Sequence, residues 1–529
     1  MMRIPRLTGV LMGAVIACLL AVPAAGVWAG EKVLRVRPFA DLKTIDPVVG
    51  ADYMSRNHGY MVYDTLFGMD EKLAIKPQMV EKYTKSRDGL VWEFALRPGL
   101  KFHDGQPVTS ADVVASLQRW GEKDSLGRML MAHTVSLVAV DKTKFKLTLK
   151  DAWGLVLEAL GKPSSFVPFI LPERVAKTPA TEVIKDPTGS GPFIMKQDEW
   201  VPGSKVVYLR NPNYVPRKEP TSGLAGSRKA EVDRVEFLYM PDAQTALRAL
   251  QNGEIDIFEE VPPDFAGDIR KNEKLRLVPM DSLGVEAMFR MNLVQPPFSN
   301  PKIREAILYM MQQETFLKAF IDDPKFTRTL HSFYIHGSPY NTEAGWPKPD
   351  IEKAKQLIKE SGYDGTPVVI LHATDSASTS AFSSVAAQLM REIGLKVDPQ
   401  AMDWATLVGR RSSQKPVSEG GWSLFITSPT GVDALDPVQH LALPSNCDKA
   451  WAGWPCDEEI EKYRAEFSMT TDMTKRKEVA TNLQLRALKY LPYVVIGQFW
   501  NFRAHSAALK DIPNAPVQVY YGIKKADKN

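Results

Sequence analysis

The sequence predicts an α/β architecture spread over two large lobes or three domains, and three observations carry that expectation. The first is length: 529 residues exceed what one hydrophobic core serves, because single cores stop growing near about 250–300 residues. The second is the stretch from Val91 to Trp120, in which an alternating strand, a turn and an amphipathic helix follow one another. The third is the run from Asp350 to Asp398. There two helix-like segments, Asp350 to Ser361 and Ser383 to Ile393, are stopped by Gly362 and Gly394, and the strand-like pieces Val368 to Leu371 and Lys396 to Asp398 follow them. That order is a βαβ unit, which calls for a partly parallel sheet.

At the start of the chain, Arg3 and Arg6 precede an apolar run from Leu7 to Val22, and small residues lead to Val27-Trp28-Ala29. This is the pattern of a secretory signal peptide over residues 1–29, with cleavage expected after Ala29; Gly13 and Pro23 interrupt the run and argue against a membrane anchor. Val15-Ile16-Ala17-Cys18 matches a permissive lipoprotein box. A lipidated cysteine normally closes the apolar run, whereas here the run continues past Cys18, so an exported protein is expected. The formal charge of +4 falls to +2 without this segment, which carries two arginines and no acid. Such a balance argues against a nucleic-acid binder, which normally shows a basic excess.

In the stretch from Val91 to Trp120, Trp92, Phe94 and Leu96 alternate with Glu93, Ala95 and Arg97 as on a half-buried strand. Pro98-Gly99 breaks the run, Asp104-Gly105 suits a tight turn, and Thr109 and Asp112 have capping-box spacing ahead of Val113, Leu117 and Trp120 at helical intervals. As a string, Trp-x-Phe-x-Leu-Arg, then Phe102-His103-Asp104-Gly105, then Thr109-Ser110-Ala111-Asp112-Val113-Val114, resembles the signature of the family 5 extracellular solute-binding proteins. These are the peptide, opine, nickel and sugar receptors of ABC importers. The resemblance implies a two-lobed periplasmic binding protein-like fold of class II, with an extra subdomain in the first lobe. It divides the chain into lobe I over 30–287, with the inserted subdomain at about 70–185, lobe II over 288–496, and a return to lobe I over 497–529.

Taken in order, Val33 to Val36 reads as the first strand, Leu42 to Pro47 as a loop and Tyr53 to Phe67 as a helix. Phe145, Leu147 and Leu149 alternate as a strand. Gly189-Ser190-Gly191-Pro192-Phe193 lacks both phosphate-loop patterns and is similar to a family turn, as Arg210-Asn211-Pro212-Asn213-Tyr214 is to a family strand end. Arg217 to Ala230 reads as a solvated loop. Val235, Phe237 and Tyr239 alternate, Ala243 to Asn252 is a helix stopped by Gly253, and Glu254 to Ile257 returns as a strand; this run is a second family match. A hinge is expected at Met288 to Asn292, then a helix capped by Asn300 with Pro301 at its first position. Asp457 to Phe467 and Thr474 to Leu491 are further helices, and Tyr493 to Trp500 reads as the crossing back.

No catalytic residue is assigned. There is no G-x-S-x-G elbow, and none of the eight histidines is followed by Glu as zinc-peptidase helices require. His331 and His336 do not share a helical face and read as loop histidines. Paired carboxylates for glycoside chemistry depend on the fold, and a secreted hydrolase is the second reading. Cys447 and Cys456 can pair once exported; two separate buried thiols are the alternative, and no nearby His or Cys makes them a metal pair.

The resemblance implies reversible capture of a solute between lobes, hinge closure driven by contacts to both, and delivery to an ABC permease in the inner membrane. No cofactor and no metal are expected, and the protein should be a periplasmic monomer. A peptide or peptide-like ligand leads; an opine, oligosaccharide or nickel chelate follows, and a chaperone-like binder of unfolded chains is a third class. Peptide receptors of the family hold the ligand's amino group with an Asp placed early after a Gly-Trp or Gly-Tyr. After Gly421-Trp422 that early carboxylate is missing and Asp433 arrives late, which puts a free amino terminus in doubt. Candidate ligand-binding residues are Tyr53, Thr427 and Asp433, with Trp404, Trp422, Arg410 and Arg411 for stacking and pairing an acid, and Phe499 and Trp500 at the return crossing. Core packing is the alternative for the aromatic residues, and a solvated helix end for the two arginines.

Overall fold

The structure, a computed structural model, describes residues 31–49 and 52–526; the signal peptide and its cleavage site lie outside them. Two large sheets form the two lobes. The first is ordered Phe193–Met195, Lys205–Arg210, Arg234–Leu238, Val33–Arg37, Ile257–Val261, Phe502–Ser506 and Leu275–Pro279. Val33–Arg37 runs parallel to both of its neighbours and the outer pairings are antiparallel. The second is ordered Thr327–Arg328, Val494–Phe499, Val285–Met291, Leu424–Thr427, Val368–Ala373 and Val397–Met402. Its Val368–Ala373 strand is parallel to both neighbours, and the helix Ala377–Glu392 connects it to Val397–Met402, as the βαβ pattern requires.

The stretch that carried the sequence signature builds a four-stranded antiparallel sheet, Val80–Lys85, Val91–Leu96, Lys144–Leu149 and Thr134–Ala139. Trp92 lies opposite Leu147 and Phe94 opposite Phe145, and the latter rings stack at 4.7 Å. The helix Ser110–Lys123 packs on this sheet because Val113, Leu117 and Trp120 fall on one face and are buried. Its start is fixed by the capping box, in which Asp112 accepts from the Thr109 backbone N–H at 2.7 Å. At the other end of the signature, Asp104 and Gly105 form the turn between bridged Lys101 and Pro107.

Three elements differ from expectation. The helix that starts at Tyr53 ends at Val62 rather than Phe67, because Thr65 and Phe67 are taken by antiparallel partners, Phe169 and Pro77. The segment 217–230 is solvated at its start and again at Lys229, but not between. Arg228 is fully buried, donates to Asp64 at 2.7 Å and sits over the Tyr60 ring, so most of the loop's later half is part of the interior. The residues expected as a hinge, 288–292, are mostly strand: Val285–Met291 is buried throughout and pairs on both edges. The chain changes sheets earlier, at Met280–Gly284, and returns at Trp500 and Asn501, between Val494–Phe499 and Phe502–Ser506.

Candidate functional site

The two crossings run side by side, with the Met280 N–H donating to the Asn501 carbonyl at 2.9 Å. Asp281 turns the first crossing by accepting from the backbone N–H groups of Leu283 and Gly284. Gly284 is required there: φ is 66°, and a Cβ would lie 2.4 Å from the Phe499 carbonyl oxygen and 3.0 Å from the Trp500 ring. Glu260, at the end of the neighbouring strand, accepts from the Asn501 side chain at 3.0 Å. Burial, and then the adjacent Glu259, push its carboxyl up to about 7, while burial pushes Asp281 up to about 6. Solvent reaches Glu260 although protein surrounds it, as at the base of a cleft.

The loop after Leu424–Thr427 is tied to the first crossing by the Gly431 N–H donating to the Gly284 carbonyl at 2.7 Å, and it carries Asp433 to the seam between lobes. There the Tyr53 hydroxyl, from the first lobe, donates to Asp433 Oδ2 at 2.8 Å. Thr430 Oγ1 donates to the same oxygen at 3.1 Å, and Ser165 Oγ reaches Oδ1 at 3.4 Å. All three partners are neutral. Desolvation, reinforced by the Asp433 charge, raises the Tyr53 phenol above its ordinary range, so it stays a donor. Arg56 stacks over the Tyr53 ring at 4.5 Å and is held by Asn57 and Ser164 rather than by a carboxylate.

Asp433 lies on a cavity of about 610 Å³ between the lobes, a size suited to a small ligand. One wall comes from the ends of Ser110–Lys123 and Ser125–His133 together with Lys162, Ser165 and Phe166; the other from His440, Lys449, Trp451 and the helix Glu458–Met469. Two ion pairs, Lys162 with Asp124 and Arg464 with Glu461, are internal to their own walls. His440 accepts at Nδ1 from the Ala442 and Leu443 N–H groups, leaving Nε2 as the donor toward the Phe333 carbonyl at 2.9 Å. Burial lowers it to about 3, so it is neutral. Behind it the Tyr493 hydroxyl donates to Glu286 at 2.8 Å, and burial pushes that carboxyl up to about 8.

The structure thus brings Tyr53 and Asp433 together and places other candidates elsewhere. Trp422 is fully buried, donates to the Ser413 carbonyl at 2.9 Å, and packs against Phe425 and Trp454. Trp404 adjoins the same cluster. Arg410 donates to the carbonyls of Gly420 and Gly421. Arg411 lies over the rings of Phe425 and Trp451, one residue removed from the cavity. Thr427 ends a buried strand opposite Met288. Phe499 is a core residue against Phe320 and Phe382, and Trp500 lines a separate hollow of about 600 Å³ along the crossings. Ser165, His440 and Trp451 escaped sequence reasoning. The signal for Trp451 was its place between Cys447 and Cys456, whose sulfurs are bonded and close the loop that presents it. Among the described residues no group of three or more His, Cys, Asp and Glu side chains is gathered as a metal site, and no helix is long and apolar enough to cross a membrane.

Comparison with known proteins fits this geometry. The family described as bacterial extracellular solute-binding proteins, family 5 middle, matches residues 74–450. A probable peptide ABC transporter periplasmic-binding protein, y4tO of Sinorhizobium fredii, is 37% identical over 504 residues, covering 94% of each chain. The glutathione-binding protein GsiB of Pectobacterium atrosepticum is 27% identical over 496 residues, 90% of each chain. In fold the chain is similar to the PBP AgaA of A. tumefacien R10, solved with agropinic acid, with a TM-score of 0.78 at 23% identity over 94% of this chain and 99% of that one.

Proposed function

The chain belongs to the bacterial extracellular solute-binding proteins of family 5, and from that premise we propose that it captures a peptide or peptide-like solute in the cavity at Asp433 and delivers it to the membrane permease of an ABC importer. The observation that carries the reading is Asp433: a buried carboxylate at the junction of both lobes whose partners are hydroxyls rather than a cation. Arg56, buried over the Tyr53 ring, lies within Coulombic reach of Asp433 but makes no ion pair with it, so a ligand ammonium finds carboxylate oxygens with no bonded cation, and charge-assisted hydrogen bonds are the strong ones. Its late position after Gly421-Trp422 does not keep it from the seam, because the Gly431 backbone bond to Gly284 folds the loop back onto the crossing.

Capture works as a population shift. In the open form the walls separate and Asp433 parts from Tyr53; a ligand touching both walls stabilises the closed form by its differential contacts. The permease reads the closed form, and no covalent step is involved. The protein acts as an exported monomer. Related proteins support a peptide ligand by name, one as a probable peptide transporter component and others as glutathione-binding proteins.

A thermal-shift panel of dipeptides, longer peptides, opines, sugars and nickel chelates tests the reading. A ligand at 100 times its dissociation constant stabilises the fold by about 2.7 kcal/mol, and selective stabilisation by peptides is expected. Selective response to a sugar or a nickel chelate, or none to any peptide, would sink it.

A further inference from the structure

We infer that the solute this cavity selects is an acidic peptide-like molecule, with one ammonium group and more than one carboxylate; the inference rests on the proposed function and deepens it. The argument is a charge inventory of the cavity wall. Its lining holds five cationic side chains, Lys123, Arg128, Lys162, Lys449 and Arg464, against three acids, Asp124, Asp433 and Glu461, with His440 neutral. Two of the cations are spent: buried Lys162 is bonded to buried Asp124, and Arg464 to Glu461 at 2.7 Å. What remains is unequal. Asp433 is held by hydroxyl groups with the buried Arg56 guanidinium in Coulombic reach behind Tyr53, while Lys123, Arg128 and Lys449 are left as three cations with no carboxylate within ion-pair distance among the described residues.

These three are also distributed for the task. Lys123 ends one helix, and Arg128 lies in the next, its guanidinium on the carbonyls of Glu122 and Lys123 rather than on an acid. Lys449 stands on the opposite wall, in the loop closed by the Cys447–Cys456 bond. A ligand carboxylate between the walls therefore meets cations from both lobes and favours closure, whereas a ligand cation there meets like charge from both. Complementary potentials act chiefly on selection and on encounter rate, and exposed cations such as Arg128 and Lys449 are screened by salt. The ligand that matches this wall carries its positive end at Asp433 and excess negative charge at the other end.

Titration calorimetry of the protein with matched tripeptides tests this, using Ala-Ala-Glu, Ala-Ala-Gln and Ala-Ala-Lys at low and high sodium chloride. The expected order is Glu over Gln over Lys, with at least a tenfold advantage of Glu over Gln at low salt that shrinks as salt rises. The double variant R128Q/K449Q, which changes two exposed side chains, should narrow that advantage to less than threefold. Equal binding of the Glu and Gln peptides, or an advantage that the double variant leaves intact, would overturn the charge inference while the peptide reading stands. Failure of every peptide to bind would remove both.

Discussion

Two regions of this protein offer the same side-chain chemistry, an aromatic group beside an arginine, and use it for opposite ends. At the seam, Tyr53 stacks under Arg56 and its hydroxyl reaches across to Asp433. In the second lobe, Trp422, Phe425 and Trp454 cluster beside Arg410 and Arg411. The difference is where the polar atoms are satisfied. The Trp422 indole and the Arg410 guanidinium are answered by carbonyls within about ten residues of themselves, which leaves that cluster complete within one lobe. Tyr53 and Asp433 are 380 positions apart and complete each other only when the lobes meet. A group whose partner lies on a separable body reports on ligand and closure; one whose partner is local reports on stability.

The largest expected effect tests the local side. Trp422→Ala removes a fully buried indole and its hydrogen bond, and large-to-small changes of this kind cost about 3–5 kcal/mol. Chemical denaturation should show that loss, while the folded fraction keeps its ligand affinity to within a factor of two. Loss of affinity with stability intact would erase the distinction between the regions.

The second tests the seam. Asp433→Asn keeps the shape and the hydroxyl partners but removes the charge. If the carboxylate holds a ligand ammonium, about 1.5–3 kcal/mol is lost, a ten- to hundredfold rise in dissociation constant, with stability changed by less than about 1 kcal/mol. Calorimetry beside a denaturation curve separates the two numbers. An Asn variant that binds as tightly as the parent would return Asp433 to a structural role.

What could be read from the sequence follows the same division. The capping box at Thr109 and Asp112, the Asn300 cap ahead of Pro301, and the helix stop at Gly253 are local devices, and each is where the residues place it. The alternation of Trp92, Phe94 and Leu96 marks a half-buried strand without naming its partner, Lys144–Leu149. Pairings between distant segments carry no local trace: nothing near Tyr53 announces Asp433, and nothing in the sequence near Arg228 announces the buried Asp64 that draws it inside. The hinge expected at 288–292 lies elsewhere for a related reason. Residues 288–291 belong to the buried strand Val285–Met291, paired on both edges with distant segments, and the crossing is Met280–Gly284, where an Asp, a Ser and a Gly turn the chain.

The third prediction concerns the wall directly behind the cavity. Glu286 is fully buried, and burial pushes it up to about 8. A carboxyl whose folded pKa lies above its unfolded value contributes stability that is complete below the unfolded value and is lost as pH rises through the folded one. His440 and the other lowered histidines act in the opposite sense only below about 6.5. Between pH 6.5 and 8 the Glu286 contribution therefore dominates, and stability should fall by about 1–2 kcal/mol. Glu286→Gln should flatten that slope without altering affinity at pH 6.5. A slope unchanged in the variant would show that another group holds the proton.

The smallest effect is the most discriminating. Tyr53 either competes with a ligand for Asp433 or supports the closed form, and the geometry decides between them. A carboxylate offers about four lone-pair positions over two oxygens. Tyr53 and Thr430 both use Oδ2, and among the described residues Oδ1 has only the long contact from Ser165. A ligand ammonium thus finds Oδ1 open while the tyrosine stays in place, so the hydroxyl is an aid to closure rather than a rival. Tyr53→Phe removes the bond the hydroxyl donates to Asp433 at 2.8 Å and the longer one it accepts from the Thr430 N–H at 3.3 Å; the shorter is worth about 0.5–1.5 kcal/mol. It should weaken every ligand by a similar factor, about two- to tenfold. In small-angle scattering the unliganded variant should be more open than the parent, because the bonds lost hold the lobes together without ligand. Tighter binding by the phenylalanine variant would reverse the assignment and make Tyr53 a stand-in for the ligand's own donor.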